Sequence, residues 1–195
     1  MNLPEIHRRP LAYQQNLQQR APVAIDLVVV HCTELPDLDT ARAFGERIRY
    51  PQTVSGNSAH FYIDRDGRTE QWVDTERIAH HVRGFNENSI GIELVNRGRY
   101  PDWLHTERQC MTEPYPEKQI VSLIGLLAWL CSTIVTLRRI AGHEDLDCAS
   151  VPASNDPALS VRRKCDPGPL FPWSRVLSAL PLQRLNSGSL VNDGG

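Results

Sequence analysis

Residues 25–31 read IDLVVVH, a run of apolar and β-branched side chains with almost no polar interruption. A strand with one wet face alternates, so an unbroken run of this length reads as a strand covered on both faces. Such a strand needs a sheet with layers above and below it. The following segments supply them. Asp39 is placed to cap a helix over residues 40–49, which Pro51 stops. Residues 59–64 and 69–73 read as short strands joined by the hairpin pair Asp66-Gly67, and residues 89–95 (SIGIELV) as a further apolar strand.

The longest apolar stretch, residues 120–137, reaches the lower limit of a membrane span. Ile120, Leu123, Ile124, Leu127, Leu130, Cys131 and Ile134 nevertheless recur at helical spacing, with Ser122, Gly125, Ser132 and Thr133 between them. That pattern gives an amphipathic core helix starting near Pro116, not a transmembrane segment. Residues 97–113 read as a surface loop, 139–143 as a short strand or turn, 144–165 as a second long loop, and 172–180 as a final helix. The sum is an α/β (α+β) single domain with a central mixed β-sheet flanked by helices. The expected organisation is an N-terminal surface arm over 1–22, the domain over 23–181 and a flexible tail over 182–195. With 41% hydrophobic residues, 23% charged residues and a net charge of -2, the chain can bury a core and a cleft, and no nucleic-acid partner is expected. The first twenty residues contain no apolar signal core, and the five cysteines form no C-x-x-C pair. Both features point to a reducing, cytoplasmic location, although Cys148 and Cys165 could still pair across a loop.

Three side chains stand where strand or turn ends meet loops: His31, His143 and Asp166. Two histidines and a carboxylate suit a catalytic zinc site with a fourth position open to water. Their spacing alone does not separate this from three structural residues. In SIGIELV, alternation puts Ile90, Ile92 and Leu94 on one face and Gly91, Glu93 and Val95 on the other. A carboxylate there is costly unless paired. Glu93 is therefore either half of a buried salt bridge or a general base with a raised pKa. Lys164 and Asp166, two apart, point to one side of an extended segment, while Cys165 turns away. Cys32 likewise turns away from the face of His31.

The segments VVVHCTE, SAHFYIDRDG, HHVRG, NSIGIELVN, AGHEDLD and RRKCDPGPLFPW follow one another in this order. As a set they resemble the type 2 N-acetylmuramoyl-L-alanine amidase family, whose fold is shared with peptidoglycan recognition proteins. The resemblance runs from about residue 25 to residue 173. It implies one zinc ion on His31, His143 and Asp166, Glu93 as catalytic acid/base and Lys164 facing the oxyanion. The implied reaction is hydrolysis of the amide between the lactyl group of N-acetylmuramic acid, intact or 1,6-anhydro, and L-alanine in peptidoglycan or muropeptides. By the same resemblance His81 is a substrate contact, and His60 either packs or touches substrate. Two departures stand out: alanine at position 59, where related phage amidases carry a tyrosine, and His80 where an aromatic residue is common. The competing readings are a non-catalytic peptidoglycan-binding module, whose members lose a zinc ligand, and a closed structural zinc site recruiting His60 or Cys165.

Overall fold

The structure is a computed structural model and describes residues 4–186. In chain order its strands and α-helices are β1 (Ile6–Arg8), β2 (Leu27–Cys32), α1 (Leu38–Gly45), β3 (Phe61–Ile63), β4 (Thr69–Gln71), β5 (Ser89–Leu94), α2 (Glu117–Thr133), β6 (Arg139–Gly142), α3 (His143–Leu146), β7 (Ser150–Pro152), β8 (Ser160–Arg162), α4 (Trp173–Ser178) and β9 (Gln183–Arg184). Seven strands form one mixed sheet in the order β1-β4-β3-β5-β2-β6-β9, and β7 and β8 form a separate hairpin. Within the sheet only the β3–β4 pair is antiparallel.

The unbroken apolar run becomes the central strand, since β2 is buried along its whole length between β5 and β6. Side chains alternate across the sheet. Val28 and Val30, with Ile90, Ile92, Leu94 and Ile140, meet Ile120, Leu123, Leu126, Leu127 and Leu130 of α2 in one core. Fully burying a Leu or Ile is worth roughly 1.5–3 kcal/mol, so this layer anchors the sheet. Leu27 and Val29 face the other way and pack with Val82 and Leu185. Further along that second face come His31 and Glu93, opposite one another in register, with Tyr62 paired to Glu93 on the far side. The parallel strands β2, β5 and β6 all end there, and the outside of parallel strand ends is where α/β sheets bind ligands.

Several local expectations are corrected. The helix after β2 begins at Leu38, not Thr40, because Asp37 caps it by accepting the Thr40 N–H at 2.7 Å. Asp39 falls inside the first turn, and the chain leaves the helix at Glu46 before folding a turn in which the Arg49 and Tyr50 N–H groups both reach the Ser55 carbonyl. Residues 144–165 are not one loop, since they contain most of α3 and the β7–β8 hairpin. The segment before residue 22 supplies edge strand β1 and the buried side chains Leu11, Tyr13 and Leu17. At the other end Gln183 and Arg184 pair with β6, so the sheet reaches past residue 182. The expected tail from 187 onward lies outside the described residues. No helix among the described residues is long and apolar enough to cross a membrane.

Candidate metal centre and cleft

His31 stands near the end of β2, and His143 opens α3 directly after β6. Asp166 comes from the segment after β8, which is fastened to α3 by the Glu144 N–H donating to the Asp166 carbonyl at 2.9 Å. All three side chains are buried. The Nδ1 atoms of His31 and His143 lie 2.9 Å apart, and Asp166 Oδ2 lies 3.1 and 3.2 Å from them. Each residue thus offers one ligand atom to a common point. Bonds of about 2.0–2.1 Å to a tetrahedral zinc put neighbouring ligand atoms roughly 3.3 Å apart, so the triangle has the right size.

The hydrogen-bond network shows that this triangle holds more acceptors than donors. Ser89 Oγ–H donates to the Phe85 carbonyl at 2.6 Å, so Ser89 Oγ accepts from His81 Nε2–H at 3.2 Å. Burial, then the neighbouring His31, hold His81 neutral, so its Nδ1 is bare and accepts His31 Nε2–H at 3.0 Å. His31 is neutral as well, its pKa lowered to about 4 by burial and by His143. Its Nδ1 therefore presents a lone pair to the ionised Asp166 oxygen. Burial works against that ionisation, but His143, His31 and Lys164 hold the Asp166 carboxyl well below the usual range. One N–H on His143 cannot satisfy both acceptors, and Asp166 Oδ1 is buried with no partner. A cation at the common point resolves the conflict, and the two-nitrogen, one-oxygen donor set fits zinc.

Among the described residues no salt-bridge partner reaches Glu93, so the buried salt-bridge reading is not what the geometry shows. Its Oε2 is buried and unpartnered. Burial first, and then Asp166, raise its pKa to about 8, while Lys164 works in the opposite direction. His31, Glu93, His143, Lys164 and Asp166 line one cleft of about 790 Å³, within the range of small-ligand sites. Cys165 is absent from that lining, and Cys32 shares it while its buried thiol is raised well above its ordinary pKa.

His81 borders the cleft, but both its ring nitrogens are engaged, so it backs His31 rather than presenting a free donor to a ligand. Its ring lies against Gly91, where an added Cβ would approach it to 2.6 Å. His60 is fully buried: its Nδ1 accepts the Gly91 N–H at 3.0 Å and its Nε2 faces the Arg77 carbonyl at 3.0 Å. It packs and does not reach the cleft. His80 lines the cleft edge-on to Tyr50. Ala59 is buried, and its N–H donates to the hydroxyl of Tyr62 at 3.1 Å. Tyr62 itself lines the cleft. Sequence reasoning passed over it, although alternation in β3 puts it on the face opposite to Phe61 and Ile63. It also passed over Ser89, which looks like an ordinary first residue of a strand.

The family model described as N-acetylmuramoyl-L-alanine amidase matches residues 19–169. The chain is 27% identical over 183 residues to the N-acetylmuramoyl-L-alanine amidase AmiD of Escherichia coli K12, covering 84% of this chain and 57% of that protein. It is 31% identical over 133 residues to the 1,6-anhydro-N-acetylmuramyl-L-alanine amidase AmpD of Haemophilus influenzae, covering 63% of this chain and 58% of that one. The chain thus spans somewhat over half the length of these relatives. Among solved structures, the E. coli AmiD complex with anhydro-N-acetylmuramic acid-L-Ala-D-gamma-Glu-L-Lys shares the fold at a TM-score of 0.61, with 24% identity over 83% of this chain and 60% of that one. The model match takes in β2, the hairpin, β5, α2 and every residue of the triangle, and the chain belongs to the N-acetylmuramoyl-L-alanine amidase family.

Proposed function

We propose that the chain hydrolyses the amide bond joining the lactyl group of N-acetylmuramic acid to L-alanine in muropeptides, with one zinc ion held by His31, His143 and Asp166. The observation that carries this reading is the triangle of ligand atoms, with too few protons to satisfy it, beside the buried and unpartnered Glu93 Oε2 in one cleft. Zinc bound there would lower the pKa of a water toward about 7 and polarise a carbonyl oxygen. Glu93 takes a proton from the attacking water, and its raised pKa makes it able to hold that proton near neutrality. It then passes the proton to the nitrogen of the departing L-alanine. The Lys164 ammonium faces the charge that gathers on the lactyl carbonyl oxygen. His81 and Ser89 keep the ring of His31 in one tautomer throughout.

The 1,6-anhydro form is the glycan we assign, because the name of one relative and the ligand of one structural neighbour specify it. The five free cysteines support a reducing compartment as the place of action. The test is to incubate anhydro-muramyl and intact muramyl peptides with the protein, before and after chelation, and to follow release of the L-alanine-terminated peptide. Release that stops on chelation and returns with zinc is expected. Undiminished release from metal-free protein would sink the zinc assignment, and failure to cleave either substrate would sink the activity.

A further inference from the structure

Arg99 and Glu34 take no part in the chemistry above, yet both are buried beside it, at 3% and 6% exposure. Arg99 Nε and Nη2 donate to the two Glu34 carboxylate oxygens at 2.7 and 2.9 Å, and the Arg99 backbone N–H reaches Oε1 at 3.2 Å. The guanidinium also donates to backbone: Nη1 to the Arg162 carbonyl at 2.9 Å and Nη2 to the Arg163 carbonyl at 3.2 Å. Glu34 lies three residues beyond His31, and Arg163 immediately precedes Lys164. One side chain therefore grips both the exit of β2 and the segment that carries Lys164 and Asp166.

The local backbone is arranged around this grip. Glu34 adopts φ 49, a left-handed conformation that is strained for a residue with a Cβ. Trp103 Nε1–H donates to the Glu34 carbonyl at 3.0 Å and helps to hold it there. Gly98, at φ +50, passes so close that a Cβ would meet Glu34 Cγ at 2.7 Å, so the turn preceding Arg99 needs glycine. Buried ion pairs contribute little net stability compared with apolar packing. The planar guanidinium here supplies what packing could not, namely donors to two carboxylate oxygens and two carbonyls at once.

We propose that Arg99 is a positioning residue: with Glu34 it straps the 162–166 segment to the exit of β2 and so sets where Lys164 and Asp166 stand relative to His31. Its consequence for zinc rests on the amidase reading, whereas the strap itself is tested without metal. The variants are Arg99→Met, Arg99→Lys, whose single ammonium cannot serve all of these acceptors, and a control, Glu70→Gln. Glu70 is a buried carboxylate paired with Arg9 and Arg68 on the β3–β4 side of the sheet, outside the cleft. Amide hydrogen exchange of peptides covering 160–168 is followed in metal-free protein, and zinc affinity by competition with a chromophoric chelator. Both Arg99 variants should speed exchange in 160–168 and weaken zinc about 10–100-fold, and Glu70→Gln should do neither. If Arg99→Met does not fold, Arg99→Lys decides. Unchanged exchange in Arg99→Lys, or an equal change in Glu70→Gln, overturns the strap. A parent protein that takes up no zinc overturns the proposed function, while the exchange comparison still decides the strap.

Discussion

At the scale of single residues, Glu93 is the side chain whose two roles can be separated. As the acid/base, it moves protons without holding the ion. Glu93→Gln should keep zinc affinity near the parent value and lower kcat by about 10²–10⁴. Parallel loss of zinc and activity would mean that Glu93 shapes the metal site instead. Its burial makes a second, metal-free prediction. The Glu93 pKa rises from 4.5 unfolded to about 8 folded, so between those values the native state binds the extra proton. Glu93 then contributes stability that is complete below pH 4.5 and is lost as pH rises through 8. Chelator-treated Glu93→Gln should therefore gain on the parent as pH goes from 5 to 8.5, by about 1–3 kcal/mol, the usual cost of an unsatisfied buried polar group. Denaturant unfolding at the two pH values measures this, and a constant difference would mean that Glu93 is solvated. The Ser89 hydroxyl acts two steps from the ion. Ser89→Ala leaves His81 free to turn, and chelator competition should show zinc binding about 10–100-fold weaker.

At the scale of elements, what the sequence made legible was whatever repeats locally. The continuous run of β2, the alternation of β5 and the 3.6-residue spacing of α2 each encode burial within a few residues, and each element formed where expected. Asp37 and Asp39 both suit a helix cap, and only three-dimensional contact with the Thr40 N–H chooses between them. The triangle has no local signature, because His31 and His143 are 112 positions apart and Asp166 follows 23 later. The ordered resemblance found it where spacing could not. Arg99 and Glu34 meet across 65 positions with no motif to announce them, and His60 and His81, equally prominent in the sequence, have their ring nitrogens engaged by neighbours. Gly91 shows how an element carries such information. Its missing Cβ leaves the space that the His81 ring fills. Gly91→Ala should cost about 1–3 kcal/mol by overpacking and should also weaken zinc by displacing that ring. Gly125 of α2, with nothing within 4 Å of its Cβ position, is the contrast. Gly125→Ala should stabilise by about 0.5–1 kcal/mol on helix propensity and leave zinc affinity alone. Equal zinc affinity in the two variants would detach His81 from the metal site.

At the scale of the whole molecule, the proposed ion joins three elements that the chain itself connects only distantly: the end of β2, the start of α3 and the segment after β8. α2 covers the opposite face of the sheet and has no part in the junction. An ion that binds the folded triangle and not the unfolded chain stabilises by mass action, about 2.7 kcal/mol at a hundredfold excess over its Kd. For a domain of this size each kcal/mol moves Tm by about 2–4 °C, so zinc should raise the midpoint by about 5–10 °C and a chelator should reverse it. Asp166→Asn keeps the shape of the side chain but removes the charge that faces the two imidazoles, so its midpoint should respond little to zinc. Glu93→Gln should respond as fully as the parent, because Glu93 is not a ligand. Turnover, measured beside the thermal shift, separates a zinc centre with an open position for substrate from a closed structural one. A closed site would give the parent itself the zinc response and no turnover. The cleft reading requires Glu93→Gln to bind zinc, gain the full thermal shift and fail to cut the amide.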